Sequence, residues 1–206
     1  MAAGPRSAAA PVHAPPTLRD RAARAVRAEI AAVALRLFLE HGFEKTTVDR
    51  IAVEAGLSRT SFFRYFATKE DLLLGHLEEL GQEVQAALAA RPADEPAWRA
   101  LRHAFDPLID EPDAPAEQGL GMQRMLLETP SLKACQLGRQ LGWQVLLAPE
   151  IARRLGVAGD ARDPRPRALA AAALGCLNVA IDVWTATDGT ADLADLLDQA
   201  MNAVGD

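Results

Sequence analysis

Aromatic side chains are scarce in this chain, with six Phe, three Trp and one Tyr among 206 residues. Cysteine is scarcer still. Cys135 and Cys176 are two in all and stand far apart in sequence, too few for a disulfide framework, and no Cys/His spacing supports a metal site. Val, Ile and Thr are sparse and no long alternating stretch occurs, while Ala dominates; that balance argues against sheet and for helix. The uncharged runs are too short and too interrupted for a membrane span of about 20 residues. Residues 1–16 carry one Arg and no apolar block. They read as a disordered Ala/Pro tail rather than a signal peptide, so the cytoplasm is the expected compartment. In that reducing setting both cysteines are expected to be small buried hydrophobes.

Catalytic signals are equally thin. There is no phosphate-binding glycine loop and no metal pattern. His41, His76 and His103 lack a Ser, Cys or carboxylate at a spacing that makes a site, and His13 lies in the tail. No catalytic residue, metal or cofactor is expected.

What is present is unevenly distributed. The net charge of −6 argues against nucleic acid, but residues 1–76 hold 11 Arg/Lys against 8 Asp/Glu, a balance of +3. Residues 77–206 hold 11 against 20, a balance of −9. One end suits an anionic polymer and the other would be repelled by it. The aromatics are uneven too. Phe62, Phe63, Tyr65 and Phe66 fall within five positions, beside Arg59, Arg64 and Lys69.

A first helix is predicted from about Arg19 to His41, with Val26, Ile30, Val33, Leu37 and Phe38 as its apolar stripe. Its other face carries Arg19, Arg21, Arg24 and Arg27. Gly42 ends it and Phe43 can pack back. A short helix follows, capped by Thr47 and stopped by Gly56, with Val48, Ile51, Ala52 and Ala55 inward. Leu57 is a buried turn residue and Ser58 caps a second short helix, about Arg59 to Tyr65. Thr68 opens a capping box with Asp71 where Glu or Gln is usual, and the next helix runs to about Ala90.

Short helix, glycine turn, short helix is the outline of a helix-turn-helix. Helices this short need neighbours to bury them. Phe62 and Phe66, four apart, are assigned to the core. Arg59, Thr60, Ser61, Phe63, Arg64 and Tyr65 form the outward face. That set suits a DNA groove, with Arg donating to guanine, Thr and Phe touching a thymine methyl, and hydroxyls reaching phosphates.

Beyond residue 90 a helix begins near Pro96, with Trp98, Leu101, Phe105, Leu108 and Ile109 apolar and Pro107 kinking or ending it. Residues 110–117 read as a loop, and helix resumes near Ala116 with Met122, Met125, Leu126 and Leu127. Arg124 could hold an anionic group or pair with Glu128. A long helix from Thr129-Pro130 to Leu155 is expected to turn Leu137, Leu141, Val145 and Trp143 inward. Two further helices follow, about Arg165–Thr187 and Asp192–Val204. The first is nearly all apolar, so it is either a central core helix or half of a subunit interface.

The segment AVALRLFLEHGFEKTTVDRIAVEAGLSRTSFFRYFATKEDLL closely resembles the DNA-binding domain of the TetR-type transcriptional regulators. The resemblance spans about residues 20–75. Phe38 through Gly42-Phe43, Thr46-Thr47-Val48, Ile51-Ala52, Ala55-Gly56, Ser58, Phe62-Phe63-Arg64-Tyr65-Phe66 and Lys69-Glu70-Asp71-Leu72 follow in order without gaps. It implies an all-α protein of about nine helices. A tail over 1–16 would precede a three-helix helix-turn-helix domain over 17–67 and a ligand-binding and dimerisation domain over 68–206. It implies a ligand-responsive repressor that binds a palindromic double-stranded DNA operator as a homodimer and is released by a small-molecule effector, with no membrane partner. The rival is an enzyme or small-molecule-binding protein that retains a DNA-binding head.

Carried over by position, Arg59, Thr60 and Phe63 become base readers, and Thr47, Ser61, Tyr65 and Lys69 phosphate contacts. Phe63 stands where Tyr is usual, which removes a hydroxyl. The arm from Arg19 to Arg27 is a candidate for further backbone or minor-groove contact. The last two long helices, with Ala171, Ala172, Ala173 and Gly175, would meet their twofold mates. Trp98, Phe105, Met122, Met125, Trp143 and Leu147 become candidate effector contacts, or simply core. The C-terminal half also looks like the group of the mycofactocin-system regulator, which implies an acyl or large hydrophobic ligand.

Overall fold

The structure is a computed structural model that describes residues 17–109 and 116–205. The tail over 1–16, with His13, and most of the loop over 110–117 lie outside the described residues. Every regular element among the described residues is helical: α1 (Leu18–His41), α2 (Val48–Glu54), α3 (Arg59–Phe62), α4 (Asp71–Leu74), α5 (His76–Ala90), α6 (Ala97–Ala104), α7 (Asp106–Ile109), α8 (Ala116–Glu128), α9 (Pro130–Arg154), α10 (Arg165–Ala186) and α11 (Leu193–Gly205). Gly75 between α4 and α5 keeps helical dihedrals, so those two form one rod. The break between α6 and α7 falls at Phe105, two residues before Pro107, whose missing N–H and fixed φ suit the start of a new turn.

Local chemistry fixes α2, α3 and α4. Thr47 caps α2, its hydroxyl oxygen accepting from the Arg50 N–H at 3.2 Å. Ser58 caps α3 by accepting from the Ser61 N–H at 3.1 Å. Between them Gly56 sits at φ +68, and the Leu57 N–H returns to the Ala52 carbonyl at 2.8 Å. A side chain at that left-handed position would be strained, so glycine ends α2. The capping box forms despite the shorter acid: the Thr68 N–H donates to Asp71 Oδ2 at 3.0 Å and the Asp71 N–H to Thr68 Oγ1 at 3.2 Å.

Two apolar clusters hold the chain together. The first gathers Ile30, Leu37, Phe38, Phe43, Ile51, Phe62, Phe66 and Leu72–Leu74, and is completed by Leu126 of α8 and Leu132 of α9. We call this end the head. The second gathers Val84, Leu88, Leu101, Phe105, Leu147, Ile151, Leu174, Leu177, Leu197 and Met201. This is the body. Phe62 and Phe66 are buried as expected, and Phe43 packs on Phe38 with ring centroids 4.9 Å apart.

Several expectations are corrected. α3 ends at Phe62 and continues as turns to Phe66, because the Arg64 and Tyr65 N–H groups bond three residues back rather than four. Leu57 is half-buried. Leu137, Leu141 and Val145 are 54%, 60% and 59% exposed. Trp143, Leu147 and Ile151 form the inward stripe of α9 instead. The two stripes are offset by two residues, or about 200° of helix rotation, so one of them must face out. Cys135 is exposed on the same helix, whereas Cys176 is buried and its thiol is pushed up by desolvation. The segment Arg165–Ala186 proves long and apolar enough to cross a membrane by length and composition. Here it packs between α9 and α11, burying Ala170, Ala173, Leu174 and Leu177 in the body.

Candidate nucleic-acid interface

The turn from Ser58 to Phe66 is a rigid platform. Phe62 is fully buried beneath it, and Phe66 packs beside Phe62 at 5.7 Å between centroids. The flanking residues are thereby fixed outward. Arg59, Thr60 and Arg64 are exposed, and Phe63 is 45% exposed. Tyr65, expected on the outward face, is half-buried and packs against the head cluster, with the Arg64 guanidinium 5.7 Å from its ring centroid.

Each expected phosphate contact has a defined local role. Thr47 and Ser61 spend an acceptor site internally, Ser61 Oγ accepting from the Ser58 hydroxyl at 3.0 Å. Each keeps its own O–H as a donor. Lys69 is occupied more deeply. Its ammonium donates to the Phe43 carbonyl at 2.8 Å and the Thr46 carbonyl at 3.3 Å, and lies 4.0 Å from the Phe43 ring centroid. It ties α4 to the turn before α2, and one N–H remains for an outside partner.

Sequence reasoning missed three head contacts. Thr46 is fully buried and its hydroxyl donates to the Gly42 carbonyl at 2.9 Å. Arg59 meets Asp49, its Nη1 lying 3.0 and 2.9 Å from the two carboxylate oxygens. His41 Nε2 lies 2.7 Å from an Arg50 guanidinium nitrogen.

The six residues expected around an effector do not converge. Trp98, Phe105, Trp143 and Leu147 belong to the body cluster, and Met122 and Met125 pack against the head. The indoles of Trp98 and Trp143 are tied, donating to the Met201 carbonyl at 3.2 Å and the Leu77 carbonyl at 3.0 Å. Trp143 lies directly on Gly81, where a Cβ would come within 2.6 Å of its ring nitrogen.

A cleft of about 870 Å³ instead lies at the head, between α1 and the α4–α5 rod. Ala28, Leu35, Leu72 and Met122 give it apolar walls, and Arg24, Arg27, Asp71 and Arg139 line it as well. Arg139 of α9 donates to Asp71 Oδ1 at 2.7 Å. The same carboxylate caps α4, so one side chain joins the head of α4 to the body. Arg124 pairs with Asp188, 64 positions away, and not with Glu128. No group of His, Cys, Asp and Glu among the described residues could hold a metal ion.

Comparison with known proteins matches both ends of the chain. Residues 30–75 match the family of bacterial regulatory proteins of the tetR type, and residues 95–206 match the MftR C-terminal domain. The chain is 36% identical over 162 residues to the HTH-type transcriptional regulator TcmR of Streptomyces glaucescens, covering 76% of this chain and 71% of that one. It is 33% identical over 180 residues to a Mycobacterium tuberculosis protein named as the mycofactocin biosynthesis transcriptional regulator MftR, covering 85% and 87%. Among solved structures, Thermus thermophilus FadR in complex with lauroyl-CoA is 26% identical at a TM-score of 0.52, covering 86% of this chain and 92% of that one. The fatty acid degradation regulator FadR of Bacillus halodurans superposes at a TM-score of 0.60 with 18% identity, covering 87% and 94%.

Proposed function

The chain belongs to the TetR family of bacterial regulatory proteins, transcriptional regulators rather than enzymes, and from that premise we propose an effector-released, homodimeric repressor of a palindromic operator, acting in the cytoplasm. The observation that carries the reading is the platform at 58–66. A one-turn helix anchored by a buried ring turns Arg59, Thr60 and Phe63 outward from the basic end of the chain. We assign DNA reading to residues 17–67, and effector binding and pairing to residues 68–206. Arg59, Thr60 and Phe63 read base edges; Thr47, Ser61, Tyr65 and Lys69 hold phosphates.

One platform reaches only a few base pairs, so selective binding needs two. The pairing face we favour is the exposed apolar stripe of Leu137, Leu141 and Val145 on α9 with Val179 and Val183 on α10. Gly138, Gly142 and Gly175 lie within it, with open space where a Cβ would stand. The outer face of α11 is polar, with Asp195, Asp198, Gln199 and Asn202 exposed, which shifts the interface from the last two helices to α9 and α10.

The effector reading places an acyl or other hydrophobic molecule in the cleft between α1 and the α4–α5 rod, its chain along Leu35, Leu72 and Met122 and an anionic end toward Arg24 and Arg27. Support comes from the FadR relative that binds lauroyl-CoA. A ligand there disturbs the Asp71–Arg139 link, and about 1–3 kcal/mol of coupling would suffice to release DNA.

Selection of bound DNA from a random pool tests the reading. A palindrome should emerge, with half-sites about 34–36 Å apart or a multiple of that. Arg59→Ala should cost about 1–3 kcal/mol on that sequence and relax one position per half-site. Leu141→Asp should give a monomer by sedimentation with weak, unselective binding. A monomeric wild type that enriches no sequence would overturn the proposal.

A further inference from the structure

We propose that Asp49 determines the sequence preference of the reading face by holding Arg59 in one orientation; the inference rests on the DNA-binding reading above. Asp49 lies in the first turn of α2 and Arg59 opens α3, ten residues later. The carboxylate engages Nη1 alone, at 2.9 and 3.0 Å. The Nε–Nη2 edge is therefore left for the O6 and N7 acceptors of a guanine. Phe63 supplies the second constraint, its ring centroid 5.7 Å from the Arg59 guanidinium carbon. That ring is itself set edge-on against Phe62, at 5.4 Å and 87°. A line of contacts thus runs from the core ring of Phe62 through Phe63 to Arg59, with Asp49 closing the other side.

The pair has little to do with folding. Both side chains are more than 60% exposed, at 64% and 61%, and exposed ion pairs stabilise little. Their exposure suits recognition. A free arginine has several rotatable bonds and would meet phosphates and bases alike; a clamped one presents a single donor edge. The carboxylate also acts against the wrong sites. Close to DNA it repels phosphate, so it tolerates contact only where a guanine repays Arg59. Phe63 fits the same scheme. A ring without a hydroxyl serves as an apolar floor and competes for no phosphate.

The test uses the full chain and the DNA selected by the wild type. Asp49→Asn keeps the shape and removes the charge. It should reduce discrimination at one position per half-site about tenfold, tighten binding to scrambled DNA, and steepen the salt dependence by about one per protomer as Arg59 turns to phosphate. Arg59→Ala should lose discrimination at that same position, and Asp49→Asn added to it should change that discrimination no further. Asp49→Asn that selects the wild-type sequence with the wild-type ratio overturns the inference, as does a loss that persists without Arg59. A wild type that enriches nothing sinks the DNA-binding reading itself, so the two failures are distinct.

Discussion

Lys69 in the head and Arg154 in the body are both cations spent on backbone carbonyls, and they differ in depth. Lys69 is half-buried, meets two carbonyls and lies over one ring. The Arg154 side chain is 1% exposed and meets four: Leu88 at 2.8 Å, Arg91 at 3.0 Å, Pro92 at 2.7 Å and Glu95 at 3.3 Å. Leu88 is in the last turn of α5, and its carbonyl also accepts from the Arg91 N–H at 3.3 Å. Arg154 Nε lies 2.9 Å from Glu150 but finds no well-directed hydrogen bond, so the pairing there is electrostatic. A tie like Lys69 can be shared with an outside partner. A tie like Arg154 cannot be withdrawn without exposing the body.

Breaking the deeper tie should have the larger effect. Arg154→Ala removes a donor from four carbonyls, of which Leu88 and Pro92 keep a backbone N–H, and leaves Glu150 without its buried partner; it should cost about 3–5 kcal/mol of stability. Denaturant unfolding would show it as a lower midpoint. A loss as small as a surface substitution would erase the contrast between the two regions.

Lys69→Met should cost about 1.5–3 kcal/mol in the DNA-free protein, the range for hydrogen bonds to a charged group. It should also flatten the salt dependence of operator binding by about one, through the N–H left for phosphate. Stability and salt slope are separate readouts. A stability loss with an unchanged slope would make Lys69 a structural tie alone.

The head was legible because its signals are local. Thr47 and Ser58 cap three residues ahead, Gly56 stops α2 where it stands, and Thr68 and Asp71 bond across three positions. The body depends on distant pairs. Arg154 finds its carbonyls 59–66 positions away, and nothing near residue 154 announces them. For Arg124 the local pattern offers an anionic group or Glu128 four residues on, whereas the fold supplies Asp188. α9 carries two apolar stripes of equal regularity, and periodicity cannot say which one meets the body. The cleft is formed by α1, the turn after α3 and the α4–α5 rod, with Met122 of α8 and Arg139 of α9, so no single segment contains it. Asp49 and Arg59 were each visible, but their meeting depends on how the turn at Gly56 sets α3 against α2.

Thr46→Val keeps the volume and removes the hydroxyl that meets the Gly42 carbonyl. The loss should be about 0.5–1.5 kcal/mol, smaller than for Lys69 because no charge is involved. The two residues brace the same turn, so a double variant should lose less than or more than the two single losses together, by at least about 0.5 kcal/mol. Strict additivity would mean that the turn is held at two independent points.

The smallest expected effect lies in the acid arm of the stability profile. Glu95 accepts from Arg91 at 2.7 and 2.9 Å and from His103 Nδ1 at 3.1 Å. The Arg91 hydrogen bonds hold its carboxyl below the ordinary range, against the opposing effect of burial. A depressed carboxyl contributes stability above its unfolded pKa of about 4.3 and loses it as pH falls through the folded value. Glu95→Gln removes that titration and keeps the carbonyl bonded by Arg154. The variant's stability should therefore fall less steeply than the wild type's below about pH 4.3, while the two profiles run parallel above it. Equal slopes in acid would mean that Arg91 and Glu95, only four residues apart, already pair in the unfolded chain; the body would then share the local character of the head at this one point.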